Sequence, residues 1–163
     1  IEMVVSYFTT TPLFTITSSD NIITGLILNR GTGIEMTGVS SDNNKVIGCY
    51  IGTDATGSTV PIGGLRGVLI TTNATNNTIG IDDDGINSLE ERNLISGNFS
   101  AGIRIDSAGS GNVVAGNLMG VIKDGTSGST RNGSYIVQLE DTTNTIIGTN
   151  SDGTDDQYSG NNL

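Results

Sequence analysis

Residues 111–119 read Gly-Asn-Val-Val-Ala-Gly-Asn-Leu-Met, and variants of this phrase return along the whole chain. Five segments share the form Asn, any residue and then Ile or Val and recur at repeat-like spacing, starting at Asn21, Asn44, Asn77, Asn112 and Asn144. The starts are 23, 33, 35 and 32 residues apart. Self-similarity with a period of about 20–50 residues is the signature of a chain built from stacked repeats.

Each copy of the phrase predicts three short strands separated by turns. One strand follows the Asn directly, and a second begins five residues after it at Leu26, Cys49 and Asn117. In the other two copies an insertion delays the second strand, which then begins at Asn93 and Asn161. The third strand precedes each Asn, within 14–16, 33–36, 67–70, 102–105 and 135–139.

The insertions alternate between two turns. Segments 52–66 and 120–134 lengthen the turn after the second strand, whereas 80–92 and 148–160 lengthen the turn before it. Three strands of three or four residues cannot hold themselves together, so we expect the coils to stack. Stacking places equivalent strands ~4.8 Å apart in parallel ladders.

Two columns of equivalent residues support stacking. The residue two after each Asn is predicted to fill the interior, and these residues are Ile23, Val46, Ile79, Val114 and Ile146. The Asn side chains are predicted to form a second column at a turn, where they hydrogen-bond backbone groups and each other. The sequence therefore predicts an all-β fold: a right-handed parallel β-helix (solenoid) of about five coils with three short strands each.

Composition agrees with this fold and excludes several functions. The chain has 24 Gly, 2 Pro and no His, and its net charge is −10. Such an acidic chain is not expected to bind nucleic acid. Without His, a Ser-His-Asp triad is excluded, as are His-ligated metals. No apolar run reaches the length of a membrane span, and the single Cys49 is expected to be a small buried side chain.

The phrases at 48–57, 92–98 and 111–117 resemble the right-handed parallel β-helix repeats of secreted and cell-surface proteins, mostly bacterial. The resemblance implies a secreted or cell-surface location. Many such proteins are polysaccharide lyases, hydrolases or epimerases, but the motifs of a polygalacturonase-like site are incomplete here. The closest approach to a lyase-like site is Arg104 with Glu35, but the pattern favours interpreting both as solvent-facing strand residues. No catalytic residue is predicted.

Acidic residues gather in two of the inserted turns. Asp82, Asp84 and Glu91 lie in one turn, and Asp152 and Asp155 lie in the equivalent turn two coils later. Carboxylate oxygens are the ligands that Ca²⁺ prefers, although a calcium site needs more of them than one turn supplies. These five residues are the candidate metal ligands, and a solvated acidic edge is the alternative.

A second candidate site is an apolar stripe. If side chains alternate along the second strand, Ile27, Tyr50, Leu94 and Leu118 point outward together. Such a stripe is predicted to be an interface covered by another chain or domain. The alternative is that the strand bends at a corner and buries these residues within the chain.

The sequence favours a non-catalytic structural or adhesive segment of an extracellular protein that associates end to end. The alternative is a carbohydrate-active domain that binds or cleaves a polysaccharide along its flank. We expect residues 1–163 to form one β-helix domain and to be a fragment of a longer chain, because neither end offers a cap. The expected partners are flanking domains or further copies, with a glycan as a third option.

Overall fold

The computed structural model describes residues 2–4, 10–61, 64–82, 84–126, 130–148, 160–161 and 163. These residues contain strands and no helix. In chain order the strands are β1 (Glu2–Val4), β2 (Pro12–Ile16), β3 (Ile22–Thr24), β4 (Ile27–Asn29), β5 (Thr32–Thr37), β6 (Lys45–Ile47), β7 (Tyr50–Ile51), β8 (Arg66–Thr71), β9 (Thr78–Gly80), β10 (Leu94–Ile95), β11 (Ala101–Asp106), β12 (Val113–Ala115), β13 (Leu118–Met119), β14 (Tyr135–Glu140) and β15 (Ile146–Ile147).

The strands form three five-stranded sheets. The first sheet has the order β1-β4-β7-β10-β13, the second β2-β5-β8-β11-β14 and the third β3-β6-β9-β12-β15. Every neighbouring pair is parallel. Neighbours in a sheet are therefore three strands apart in the chain, and successive strands enter the three sheets in rotation. The expected all-β class with parallel ladders is confirmed.

The core lies between the three sheets and consists of aliphatic columns. In the third sheet Val46, Ile79 and Val114 are in register and fully buried. In the second sheet Ile34, Val68 and Ile103 form one fully buried column, and Met36, Ile70 and Ile105 form another. Aliphatic side chains repeated at one position give every layer the same inner surface, so each layer packs on the next.

The register predicted for the last repeat is wrong by one residue. Ile147 pairs with Val114, whereas Ile146 pairs with Val113. Ile146 N donates to Asn112 O just as Val113 N donates to Asn77 O, so Thr145 takes the place of the ladder Asn. Asn144 instead lies in the preceding turn with φ 49°, a left-handed conformation that Asn tolerates better than most residues.

The predicted Asn column exists as a ladder of side-chain amides, fully buried at Asn44, Asn77 and Asn112 and half-buried at Asn21. Asn21 Nδ2 donates to Asn44 Oδ1 (2.8 Å), Asn44 Nδ2 to Asn77 Oδ1 (3.0 Å) and Asn77 Nδ2 to Asn112 Oδ1 (3.2 Å). Each of the three acceptor oxygens also receives the backbone N–H of the preceding Asn. The ladder thus satisfies turn groups that would otherwise be buried without partners.

Two further ladders mark the other two turns. Asn93, Asn117 and Asn161 form the ladder that precedes the first sheet. Cys49 occupies an Asn position there, and its backbone N–H donates to Asn93 Oδ1 (2.9 Å), whereas its thiol donates to the backbone carbonyls of Ile47 (3.4 Å) and Ile23 (3.7 Å). Burial raises the pKa of the Cys49 thiol, as expected for a packed side chain. The ladder before the second sheet contains Asn98 and Asn132 and was not predicted.

Candidate functional site

The acidic turn after β9 brings three of its described carboxylates together. One oxygen each from Asp82, Asp84 and Glu91 lies within 4.8 Å of the other two. The turn is held by its own backbone, because Glu91 Oε2 accepts from Asp82 N (3.2 Å) and Asp84 Oδ1 from Ile86 N (2.7 Å). Asp152 and Asp155, the other predicted ligands, lie outside the described residues.

A basic residue that the sequence did not single out enters this cluster. Lys45, in β6, forms a salt bridge with Asp82, whose side chain is 7% exposed. The hydrogen bond to Asp82 raises the pKa of Lys45, and Asp82, Asp84 and Glu91 raise it further by charge, against a smaller opposing effect of burial. Lys45 therefore already neutralises part of the charge that a metal ion would balance. One feature of the sequence could have indicated this contact: Thr78, which is in register with Lys45, precedes Asp82 by four residues.

The predicted interface residues do share one column. Ile27, Tyr50, Leu94 and Leu118 are in register across four strands of the first sheet. The expectation that all four are exposed is wrong for Leu94, which is 1% exposed. The other three are half-buried. The exposed part of the column is therefore interrupted at its centre.

An inserted turn of the same chain covers Leu94. A Cβ atom built on Gly57 would lie 3.0 Å from Leu94 Cδ2 and 3.1 Å from Tyr50 Cε2, so the backbone of segment 52–66 rests on the column. Lys123 N, from the equivalent insertion two repeats later, donates to Gly57 O (3.0 Å). The two insertions thus bind each other across the intervening repeat, which the sequence pattern did not indicate.

The outer face of the second sheet carries the residues considered for catalysis. Glu35, Leu69 and Arg104 occupy one column, so Leu69 separates the two charged residues. The Arg104 guanidinium instead binds Asp106 (2.7 Å) and Glu140 (2.9 Å). The structure therefore does not bring Arg104 and Glu35 together.

A cavity of about 410 Å³ opens at the end of the sheets nearest β14. Its walls come from the turns around β13 and from Ile136 and Leu163, the latter 65% exposed. A smaller hollow of about 270 Å³ lies beside Ile27 and Tyr50. Neither contains a cluster of acidic and basic groups.

Comparison of the chain with family models, with curated proteins and with solved structures found no match. Among the described residues there is also no helix long and apolar enough to cross a membrane. The site therefore has to be interpreted from its own geometry.

Proposed function

We propose that this chain is a right-handed parallel β-helix segment with a structural or adhesive role in a secreted or cell-surface protein. The rotation of successive strands through three parallel sheets supports the β-helix, and the right hand is the one that parallel crossovers adopt. The extracellular location rests on the resemblance of the repeats. Flanking repeats or domains, or further copies, are the partners that this role requires.

The observation that supports the structural role is the hydrogen bonding of the buried Asn side chains. Five Asn side chains are fully buried, and each bonds to a neighbouring layer of the stack: Asn44, Asn77, Asn112, Asn93 and Asn117. Their partners are backbone groups, other Asn side chains and, for Asn44, the Ser41 hydroxyl (3.2 Å), so these amides stabilise the scaffold and are not available to a substrate. Among the described residues, these buried Asn side chains therefore serve to hold the layers together.

The second candidate function is a carbohydrate-active domain that acts on its flank. The observation in its favour is the charged group on the outer face of the second sheet, where Arg104 lies beside two carboxylates. An arginine on an exposed sheet face can bind a uronate carboxylate. Its existing ion pairs with Asp106 and Glu140 compete with such binding.

A direct experiment separates the two functions. The full chain is incubated with polygalacturonate and other acidic polysaccharides, and unsaturated products and reducing ends are followed. The structural role predicts that no product forms. It also predicts that Arg104→Ala leaves any binding to immobilised glycans unchanged. Product formed by the wild type and lost in Arg104→Ala would establish the enzymatic alternative.

A calcium ion at Asp82, Asp84 and Glu91 is a further part of the proposal. The three converging carboxylates favour it, and Lys45 at Asp82 competes with it. A calcium ion held here would tie segment 80–92 to the third sheet in place of Lys45. Calcium that raises the melting temperature would support this part of the proposal without bearing on catalysis.

A further inference from the structure

The second sheet holds an arginine that the sequence analysis did not single out. Arg66 begins β8, the central strand of that sheet, and is in register with Ala101 of β11. The residue is half-buried, and its Nε is buried without a hydrogen-bond partner. Among the described residues no carboxylate lies within ion-pair distance of its guanidinium. Such a group is unusual, because removing a charge from water costs free energy that a partner normally offsets.

The carboxylates around Arg66 do not supply that partner. Asp106 and Glu140 are both bound by Arg104, at 2.7 Å and 2.9 Å. Glu35, on the other neighbouring strand, forms no ion pair with any described residue. The outer face of the sheet therefore carries one arginine whose charge is balanced and one whose charge is not.

The surroundings of Arg66 disfavour its positive charge. Burial lowers the pKa of Arg66, the charge of Arg104 lowers it further, and Asp106 and Glu35 oppose this effect. An arginine nevertheless stays protonated at neutral pH. An anion from solution would relieve both unfavourable effects, because it would pair with the charge and screen it from Arg104.

An apolar side chain lies among the groups that act on Arg66. Leu69, three residues further along β8, is half-buried and is in register with Glu35 on one side and Arg104 on the other. Apolar surface beside a hydrogen bond lowers the local dielectric constant and so strengthens the bond. A ligand that reaches Arg66 would therefore meet a charged donor next to an apolar side chain.

We propose that Arg66 binds an oxyanion, the carboxylate or sulfate group of a ligand that lies on the outer face of the second sheet. The planar guanidinium can donate two parallel N–H bonds to either group. Arg104 adds attraction by charge while its own donors stay with Asp106 and Glu140, and Glu35 opposes the anion. The strands β5, β8 and β11 that carry these groups lie inside the stack. The site goes beyond the proposed structural role, which needs no ligand.

The test is a nuclear magnetic resonance titration of the full isotope-labelled chain. Sodium acetate and sodium sulfate are the probes, and sodium chloride keeps the ionic strength constant. The Nε–H signal of Arg66, assigned by its loss in Arg66→Lys, should shift and saturate, together with backbone amide signals of β8 and β11. The amide signals then report binding in every variant.

Three variants assign the binding to Arg66. Arg66→Gln should raise the dissociation constant at least about tenfold, because it removes the charge from the donor. Glu35→Gln should lower the dissociation constant, because it removes a charge that repels the anion. Arg30→Gln is the matched control and should leave it unchanged. The Arg30 Nε is also buried without a partner, but Arg30 lies in the turn between β4 and β5, two layers from Arg104.

Each outcome decides the proposal. Saturation by either anion that Arg66→Gln weakens supports it, and the anion with the lower dissociation constant identifies the preferred group. Absence of saturation with both anions overturns it, as does binding that Arg30→Gln weakens equally. If Arg66→Gln loses the native amide spectrum, Arg66→Lys replaces it, because lysine keeps the charge but not the pair of parallel donors and should also weaken binding. Polysaccharide cleavage plays no part in this assay, so its result is independent of the test of the proposed function.

Discussion

Replacing Asn77 by Ala tests whether the Asn ladder stabilises the stack. Asn77 is fully buried, and its side chain makes four hydrogen bonds. Its Oδ1 accepts from Asn44 N and Asn44 Nδ2 (both 3.0 Å). Its Nδ2 donates to Ser41 O (3.0 Å) and to Asn112 Oδ1 (3.2 Å).

The expected loss follows from the groups that Ala leaves behind. The backbone N–H of Asn44 loses its acceptor in a site that water does not reach. The carbonyl of Ser41 keeps the backbone N–H of Thr75 (3.2 Å), and Asn44 Nδ2 keeps Ser41 Oγ (3.2 Å). A buried polar group without a partner costs about 1–3 kcal/mol. Because one donor is orphaned and the other groups each keep a partner, we expect Asn77→Ala to lower the free energy of unfolding by about 2–3 kcal/mol.

Urea unfolding followed by circular dichroism measures this difference, and Thr78→Ala is the control. Thr78 is the next residue and is half-buried on the outer face, so its truncation should cost less than about 1 kcal/mol. Asn77→Asp keeps an acceptor for Asn44 but sets a carboxylate against Asn112 Oδ1, so it should destabilise increasingly as the pH rises. An Asn77→Ala loss equal to that of Thr78→Ala would refute a stabilising role for the ladder.

Three other predictions use the same measurements. Val114→Asp should prevent folding because it buries an unpaired charge. Thr78→Asp lies one residue from the inward position of the neighbouring strand and should lower the stability only slightly. Equal melting temperatures of the two variants would contradict the register. Because the pKa of Lys45 is raised in the folded state, its ion pair with Asp82 stabilises the fold fully below the pKa of an unfolded lysine. This stabilisation is lost as the pH rises through the higher pKa of the folded state. Lys45→Met should therefore remove part of the fall in stability at alkaline pH, as measured by urea unfolding. Millimolar calcium should raise the melting temperature and Asp84→Asn should abolish that rise, and a calorimetric titration without heat would leave the turn as solvated charge.

The repetition of short phrases was enough to predict the sheets and most of the core. Val46, Ile79 and Val114 are buried in register as expected, because a stacked fold turns equal spacing in the sequence into direct contact. The prediction for the last repeat was wrong because Asn144 matches the phrase, whereas the hydrogen bond from Ile146 N to Asn112 O puts Thr145 at the ladder position. A turn and a ladder both accept Asn, so an Asn alone does not fix the register.

The candidate sites were predicted less completely, because they depend on how the insertions fold. The three converging acids of segment 80–92 are close in sequence, so their convergence was visible in advance. The contact of Lys45 with Asp82 joins residues 37 apart and depends on the path of the turn. The burial of Leu94 likewise depends on Gly57, whose segment has no counterpart in the repeated phrase.

Glycine residues let neighbouring strands approach closely, and Asn side chains satisfy the hydrogen-bonding groups of the turns. Together they explain why the length of the insertions can vary. A Cβ built on Gly67 would lie 2.5 Å from Gly102 O and 2.6 Å from Ile95 Cγ2, so the second sheet can approach the first only where the side chain is missing. The Asn ladders then satisfy the turn groups on either side of each strand. Because the glycines and the Asn side chains lie within the strands or next to them, the segment between two strands can lengthen without disturbing the register of the strands. The acidic turn and the paired insertions are therefore the places where this scaffold can acquire a binding function while its stacking stays the same.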